Sequence, residues 1–526
     1  MLNVNLIRKN TYIKEFFMSR LPVQEGCTPD LTALEDVQAK LIKTMAVEAK
    51  LREALDDEVE AGCVHFDSLA SSLPHKTILT VLKFLGIPET FLDFFERFLS
   101  AKLNIGPAVR GAPDRVLPRT RGVPEGHALE LFFTEAIMFF LELAVHQDTG
   151  NYLYRIRDRA YYVEPFEAEN ACGSHVDEFA SIMGLTATFA LEQEIGLVGI
   201  TPSGLILDDD KILSYARGIK KRLGSCTSVL EWVRIWNSTA GTYAAHLFGP
   251  LAEVFGKSHL YTVKNAYNTI FDIVLDGRDL TSYITHLLST HLARPLANPP
   301  FSIDALIYLP QAYGGLGVLN PFITMHLAHD LPADPSAPIT TYLATEETYY
   351  QRAASNFALL PHDACTRKLE TIYANDAARI AASLGADRDP TRFCSKEELF
   401  AHRENWRLPT LPSPPGPPVY PRAAVPCLAT LYEKLLREPV DDVAYAEAVR
   451  DEVRRLAGKG DMKAWHRLAE EDKWVLQLYG DECFETYGGL EIWCGEFVPL
   501  EILKAVRGSW DESDDGGSSV SDMTEP

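Results

Sequence analysis

The sequence predicts an α+β, helix-rich fold, and three features point to it. Long stretches place apolar residues three and four apart with no Gly or Pro inside, the period of a helix with one buried face. A short aromatic stretch, LYRIRDRAYYV from Leu153 to Val163, reads instead as a strand pair with one carboxylate at its tip. Hydrophobic residues make up 46% of 526 positions, enough for the cores of two or more domains.

Residues 1–60 read as an N-terminal helical region: a short amphipathic segment, then LTALEDVQAKLIKTMAVEAKLREALDDEVE from Leu31 to Glu60, one long helix or two. VHFDS, Val64 to Ser68, is a candidate strand leading to Pro74 and His75. From Arg110 to Arg121 the chain reads as a loop that collects Arg110, Arg115, Arg119 and Arg121 amid Gly and Pro. Guanidinium forks match pairs of phosphate oxygens, so this loop is a candidate template or triphosphate contact. RGVPEGHALELFF then forms a tight Gly/Pro turn running into a long apolar helix. Glu135 and Glu142 interrupt FFTEAIMFFLELAV, which makes that helix a core element rather than a membrane span.

After the hairpin, SHVDEFASIMGLTATFALEQE reads as a helix approaching a strand, and LVGITPSGLIL as the next strand. Asp208, Asp209 and Asp210 precede YARGIKKRLGS and read as a helix cap and first turn, where carboxylates accept from free backbone N–H groups. That helix carries Arg217, Lys220, Lys221 and Arg222 and opens a helical region reaching about His291. Trp232 and Trp236, four apart, share a helix face and read as packing residues. Residues 331–407 read as a helical extension, 408–426 as a Pro-rich linker and 427–508 as a small helical unit. Residues 509–526, with six acids and no base from Asp511 onward, read as a disordered acidic tail.

The net charge of −23 is unusual for a chain that binds phosphate backbones, although an acidic total can coexist with a basic groove. Nine cysteines without a C-x-x-C pair suggest neither a disulfide framework nor a zinc ribbon; Cys63 near His65 and Cys172 near His175 read as buried thiols. The N-terminus lacks the apolar segment of a signal peptide, so the expected location is intracellular, in nucleus or cytoplasm, with no membrane partner.

Arg121, Gly122, Pro124 and Gly126 match a turn of the form R-G-x-P-Q-G, with Glu125 at the usual Gln, and an aromatic hairpin carrying Asp158 follows. Ser71–Leu99, with its Pro-His, lies upstream; CTSVLEWVRIWNS, then FGK at Phe255–Lys257, then YGGLGVLNPF lie downstream. In this order the pieces, over roughly residues 60 to 330, resemble reverse transcriptases, the RNA-directed DNA polymerases. They are similar to the reverse-transcriptase domain proteins of fungal genomes and, distantly, to group II intron-type enzymes.

The resemblance implies a polymerase palm and fingers over residues 61–206, a helical thumb-like region over 207–330 and a helical C-terminal extension. It implies Mg²⁺ or Mn²⁺ held by Asp158, a nucleotide or template against Arg121, Gly122, Pro124, Glu125 and Gly126 with Arg110 and Arg119 beside it, and RNA or an RNA/DNA duplex along Arg217, Lys220, Lys221 and Arg222. Departures from the pattern bear on the chemistry. The first palm carboxylate falls on His65, the second hairpin aspartate on Arg159, and the expected Lys on Glu192, Gln193 and Glu194. Asp67 lies two positions on from His65, about 6.6 Å along a strand, as a substitute carboxylate. The expectation is a nucleotidyltransferase fold with weak or lost catalysis. The alternatives are an RNA or RNA/DNA-binding module without chemistry, and a protein-interaction scaffold, which the acidity favours.

Overall fold

The computed structural model describes residues 3–18, 21, 31–56, 58–107, 113–124, 126–165, 170–190, 194–195, 198–201, 204–241, 251–291, 303–323, 334–361, 364, 367, 395–400, 403–405, 428–437, 445–458 and 463–492. The chain is α+β and helix-rich, with small antiparallel sheets. It divides into two compact units, Met1–Gly204 with Ala333–Arg437, and Leu205–Pro332 with Glu438–Pro526. The Pro-rich linker and the acidic tail read from the sequence lie outside the described residues.

In the first unit α1 (Val4–Thr11) runs into a π-helical turn at Tyr12–Phe16, and α2 (Leu31–Asp56) is one continuous helix. β1 (Val59–Phe66) starts inside the stretch expected to be helical, because Val59 and Glu60 pair with Pro165 and Glu164. Then follow α3 (Leu69–Ser72), α4 (His75–Phe84), α5 (Glu89–Leu99), β2 (Lys102–Pro107), β3 (Asp114–Pro118), α6 (Ala128–Thr149), β4 (Tyr154–Ile156), β5 (Arg159–Pro165), α7 (Ala171–Met183) and β6 (Ala187–Ala190). β4, β5, β1 and β6 form an antiparallel sheet in that order.

One face of this sheet packs Val64, Phe66, Ala160 and Tyr162 onto Phe133, Ile137 and Leu141 of α6 and Val176 and Phe179 of α7. α2 packs on β1 and β5. Helices on the sheet explain why β5 is buried without a break from Ala160 to Glu164 instead of alternating. The expected loop from Arg110 to Arg121 is corrected in part: Asp114–Pro118 is strand, paired with β2 as a separate two-stranded ribbon. LVGITPSGLIL likewise holds two strands, Val198–Thr201 and Gly204–Leu207.

Two buried ionic networks tie the N-terminal segment to this unit. Arg8 meets Glu48 at 2.8 and 2.9 Å and Glu404 at 3.1 Å, and the Tyr432 hydroxyl donates to Glu48. Arg155 on β4 meets Glu142 at 2.8 Å and Glu135 at 2.9 Å, and the Tyr12 hydroxyl donates to Glu142. The two glutamates that break the apolar run of α6 are therefore buried acids facing one buried guanidinium.

The second unit is helical. α8 (Asp209–Leu223) is capped by Asp208, whose carboxylate accepts from Asp210 and Lys211 N–H. α9 (Val229–Trp236) buries Trp232 and Trp236, stacked at 5.3 Å and 8°, as packing residues. YGGLGVLNPF folds back on the helix Ile303–Tyr308: Leu316 N–H donates to Leu306 O at 2.7 Å, and a Cβ on Gly315 would lie 2.0 Å from Leu309 O. The Trp236 indole donates to Leu319 O at 2.9 Å, so two of the motifs behind the resemblance pack on each other. Among the described residues no helix is long and apolar enough to cross a membrane.

Candidate functional site

Strand register builds the site. β1 and β5 run antiparallel with His65 opposite Arg159, and Asp158 occupies the turn between β4 and β5. That turn needs Arg157 at φ +54°, in the left-handed region. Phe66 N–H donates to Asp158 O at 2.8 Å and Asp67 N–H to Thr186 O at 3.0 Å, which holds the end of β1 between the hairpin and the approach to β6.

The side chains there converge. His65 Nδ1 lies 3.0 Å from Asp67 Oδ1, and its Nε2 lies 3.9 Å from Asp158 Oδ2. Thr188 Oγ1 donates to Asp67 Oδ2 at 2.8 Å. His65, Asp67 and Asp158 keep 38%, 49% and 44% of their side-chain surface in solvent, so the cluster is an open one. The imidazole stands between the two carboxylates, each facing a different ring nitrogen. Protonated, it pairs with both.

This donor set does not fit the Mg²⁺ that the resemblance implies. A hard cation needs oxygen ligands, yet the ring of His65 separates Asp158 from Asp67, and the cation of Arg159 follows Asp158 in the chain. Asp67 sits in the turn after β1, tied to Thr188 and His65. Among the described residues no group of three or more His, Cys, Asp or Glu is placed to hold a metal ion. Cys63, Cys172 and Cys483 are buried free thiols, and burial pushes Cys172 up to about 11.

The Gly/Pro turn is an internal clamp. Arg121 Nε donates to Ser72 O at 2.5 Å and its Nη2 to Gly184 O; Gly122 N–H donates to Leu73 O at 2.8 Å, and His75 Nε2 meets Gly122 O at 2.9 Å. The turn and the Pro-His segment thus interlock. Gly122 has φ +80°, and a Cβ there would lie 2.3 Å from Ser71 O. A left-handed backbone and a backbone collision act together, so Gly122→Ala is expected to destabilise the fold by roughly 3 kcal/mol or more, read as a lower midpoint in urea. Pro124 is half-buried, and exposed Gly126 donates its N–H to Glu130 Oε2 at 2.8 Å. Glu125, Arg110, Glu192 and Gln193 lie outside the described residues.

Of the other expected contacts, Arg119 is half-buried, with its Nη1 shielded and without a hydrogen-bond partner among the described residues. In the second unit Arg217, Lys221 and Arg222 are exposed on α8 opposite or beside its buried face, while Lys220 pairs with Asp276 at 2.5 Å. Sequence reasoning did not single out Thr188 or Arg155, and nothing in their local pattern marks them. No protein-family model matches the chain, and no match was found among curated proteins.

Proposed function

We propose that this chain is a reverse-transcriptase-like protein, an RNA-directed DNA polymerase palm and fingers with a degraded metal centre. The pairing of β1 with the hairpin carries this reading, because it sets His65 3.9 Å from Asp158, with Arg159 opposite His65. Those are the positions where a two-metal polymerase gathers carboxylates to stabilise attacking and leaving oxygens. Here a histidine and an arginine stand in their place, and the chemistry is weak or lost.

Mn²⁺ titration followed by electron paramagnetic resonance tests the reading without any turnover. The wild type is expected to show no specific site, and the double variant His65→Asp with Arg159→Asp to gain one. Tight Mn²⁺ binding by the wild type that Asp158→Ala abolishes contradicts a degraded centre. Absence of a site in the double variant contradicts the placement of these residues at metal positions.

A further inference from the structure

We infer that the cleft between α4 and α5 docks the same cleft of a second copy of this chain. Gly86 at φ +84° ends α4, with Ile87 N–H donating to Leu82 O at 3.1 Å, and Pro88 opens α5. So short a connection lays the two helices side by side, and Leu79, Leu92 and Leu99 give the cleft between them an apolar lining. Its walls carry opposite signs. Lys76 and Lys83 line it from α4, and Glu89, Asp93 and Glu96 line it from α5.

Little inside the chain answers these charges. Lys83 pairs with Glu89 at 3.0 Å near the turn, with both side chains largely in solvent, where such a pair contributes little. Lys76, Asp93 and Glu96 are exposed and have no ion pair among the described residues. Phe84, Phe91 and Phe94 stand on the same two helices with 78%, 57% and 53% of their surface in solvent. The acidic wall repels a polyanion, and the basic wall repels a polycation. A cover must bring both signs together with apolar area.

A second copy does so by symmetry. Lys76 and Lys83 are seven positions apart, as are Glu89 and Glu96, so each pair spans about 10.5 Å of helix. A two-fold axis parallel to the helices lays α4 of one copy over α5 of the other. Lys76 then faces the partner's Glu96 and Lys83 faces the partner's Glu89, and the same contacts recur across the axis. A two-fold axis across the helices would instead set α4 on α4, lysine against lysine, so charge selects the arrangement as well as the partner.

Sedimentation velocity on the full chain, over a concentration series at low and at high salt, tests this. The wild type is expected to pass from monomer to dimer as concentration rises, with salt moving the transition to higher concentration. Lys76→Glu with Lys83→Glu makes both walls acidic, and Glu89→Lys with Glu96→Lys leaves the α5 wall mainly basic. Each double variant is expected to weaken self-association about tenfold or more, because like charges then face each other across the axis. All four side chains are exposed, so far-ultraviolet circular dichroism should be unchanged. An equimolar mixture of the two variants restores opposite walls and is expected to dimerise as the wild type does. Wild type that stays monomeric throughout the series overturns the proposal and leaves the cleft to a helix of another protein. A dimer that neither double variant weakens overturns it too, as do weakened variants whose mixture fails to recover.

Discussion

Arg155→Met is expected to cost about 3–5 kcal/mol of stability in the first unit, because it leaves two buried carboxylates without their cation. Arg155, Glu135 and Glu142 keep 4%, 1% and 5% of their side-chain surface, so no water replaces the lost partner. In the wild type burial opposes the charge of Arg155, but Glu142 and Glu135 outweigh it and hold its pKa above the ordinary value. Burial pushes Glu142 up, against the pull of Arg155 and of the Tyr12 hydroxyl. Without Arg155, burial pushes Glu142 up against the pull of the Tyr12 hydroxyl only.

The sign of the pH effect follows. A carboxyl whose folded pKa is raised keeps its proton in the folded state and loses it in the unfolded state, near the ordinary Glu value of about 4.3. Stability is then present below that value and is lost as pH rises through the folded pKa. Urea midpoints of Arg155→Met should therefore fall more steeply with rising pH than those of the wild type. Amide exchange should report the loss along β4 and β5. Adding Glu135→Gln and Glu142→Gln should recover part of the loss, since it removes the stranded charges.

Arg155 also shows where the sequence was hard to read. In LYRIRDRAYYV three arginines alternate, and nothing local distinguishes the one buried under α6 from the two at the turn. Its partners lie 13 and 20 positions earlier in an otherwise apolar helix, where they look like interruptions of a core. Local signals fared better. The Asp208 cap, the Trp232 and Trp236 packing pair and the hairpin turn at Asp158 are set by residues within a few positions of each other.

The β2–β3 ribbon escaped because Gly, Pro and Arg suggest a loop, whereas cross-strand pairing of Leu103 with Leu117 makes it a sheet. The resemblance implies a ligand contact at Arg121; in the structure two backbone carbonyls engage its guanidinium, a use visible only once α3 and α7 are placed beside it. The convergence of His65, Asp67 and Asp158 depends on strand register, which spacing along the chain alone does not supply.

The largest expected effect concerns chemistry. A polymerase metal pair contributes several kcal/mol of transition-state stabilisation, so on the reverse-transcriptase-like reading proposed above a centre with His65 and Arg159 in place of carboxylates should run slower by roughly a thousandfold or more. Restoring Asp at both positions is expected to raise any residual rate. On the same proposed reading, remaining losses would trace to Glu192, Gln193 and Glu194, which stand where the resemblance implies a Lys.

Primer extension on an RNA template, with Mg²⁺ and with Mn²⁺, compares wild type with Asp158→Ala and tests the degraded centre most directly. With a degraded centre, no extension by the wild type above that of the variant is expected with either metal. Extension by the wild type that vanishes in Asp158→Ala would contradict it and establish a working polymerase.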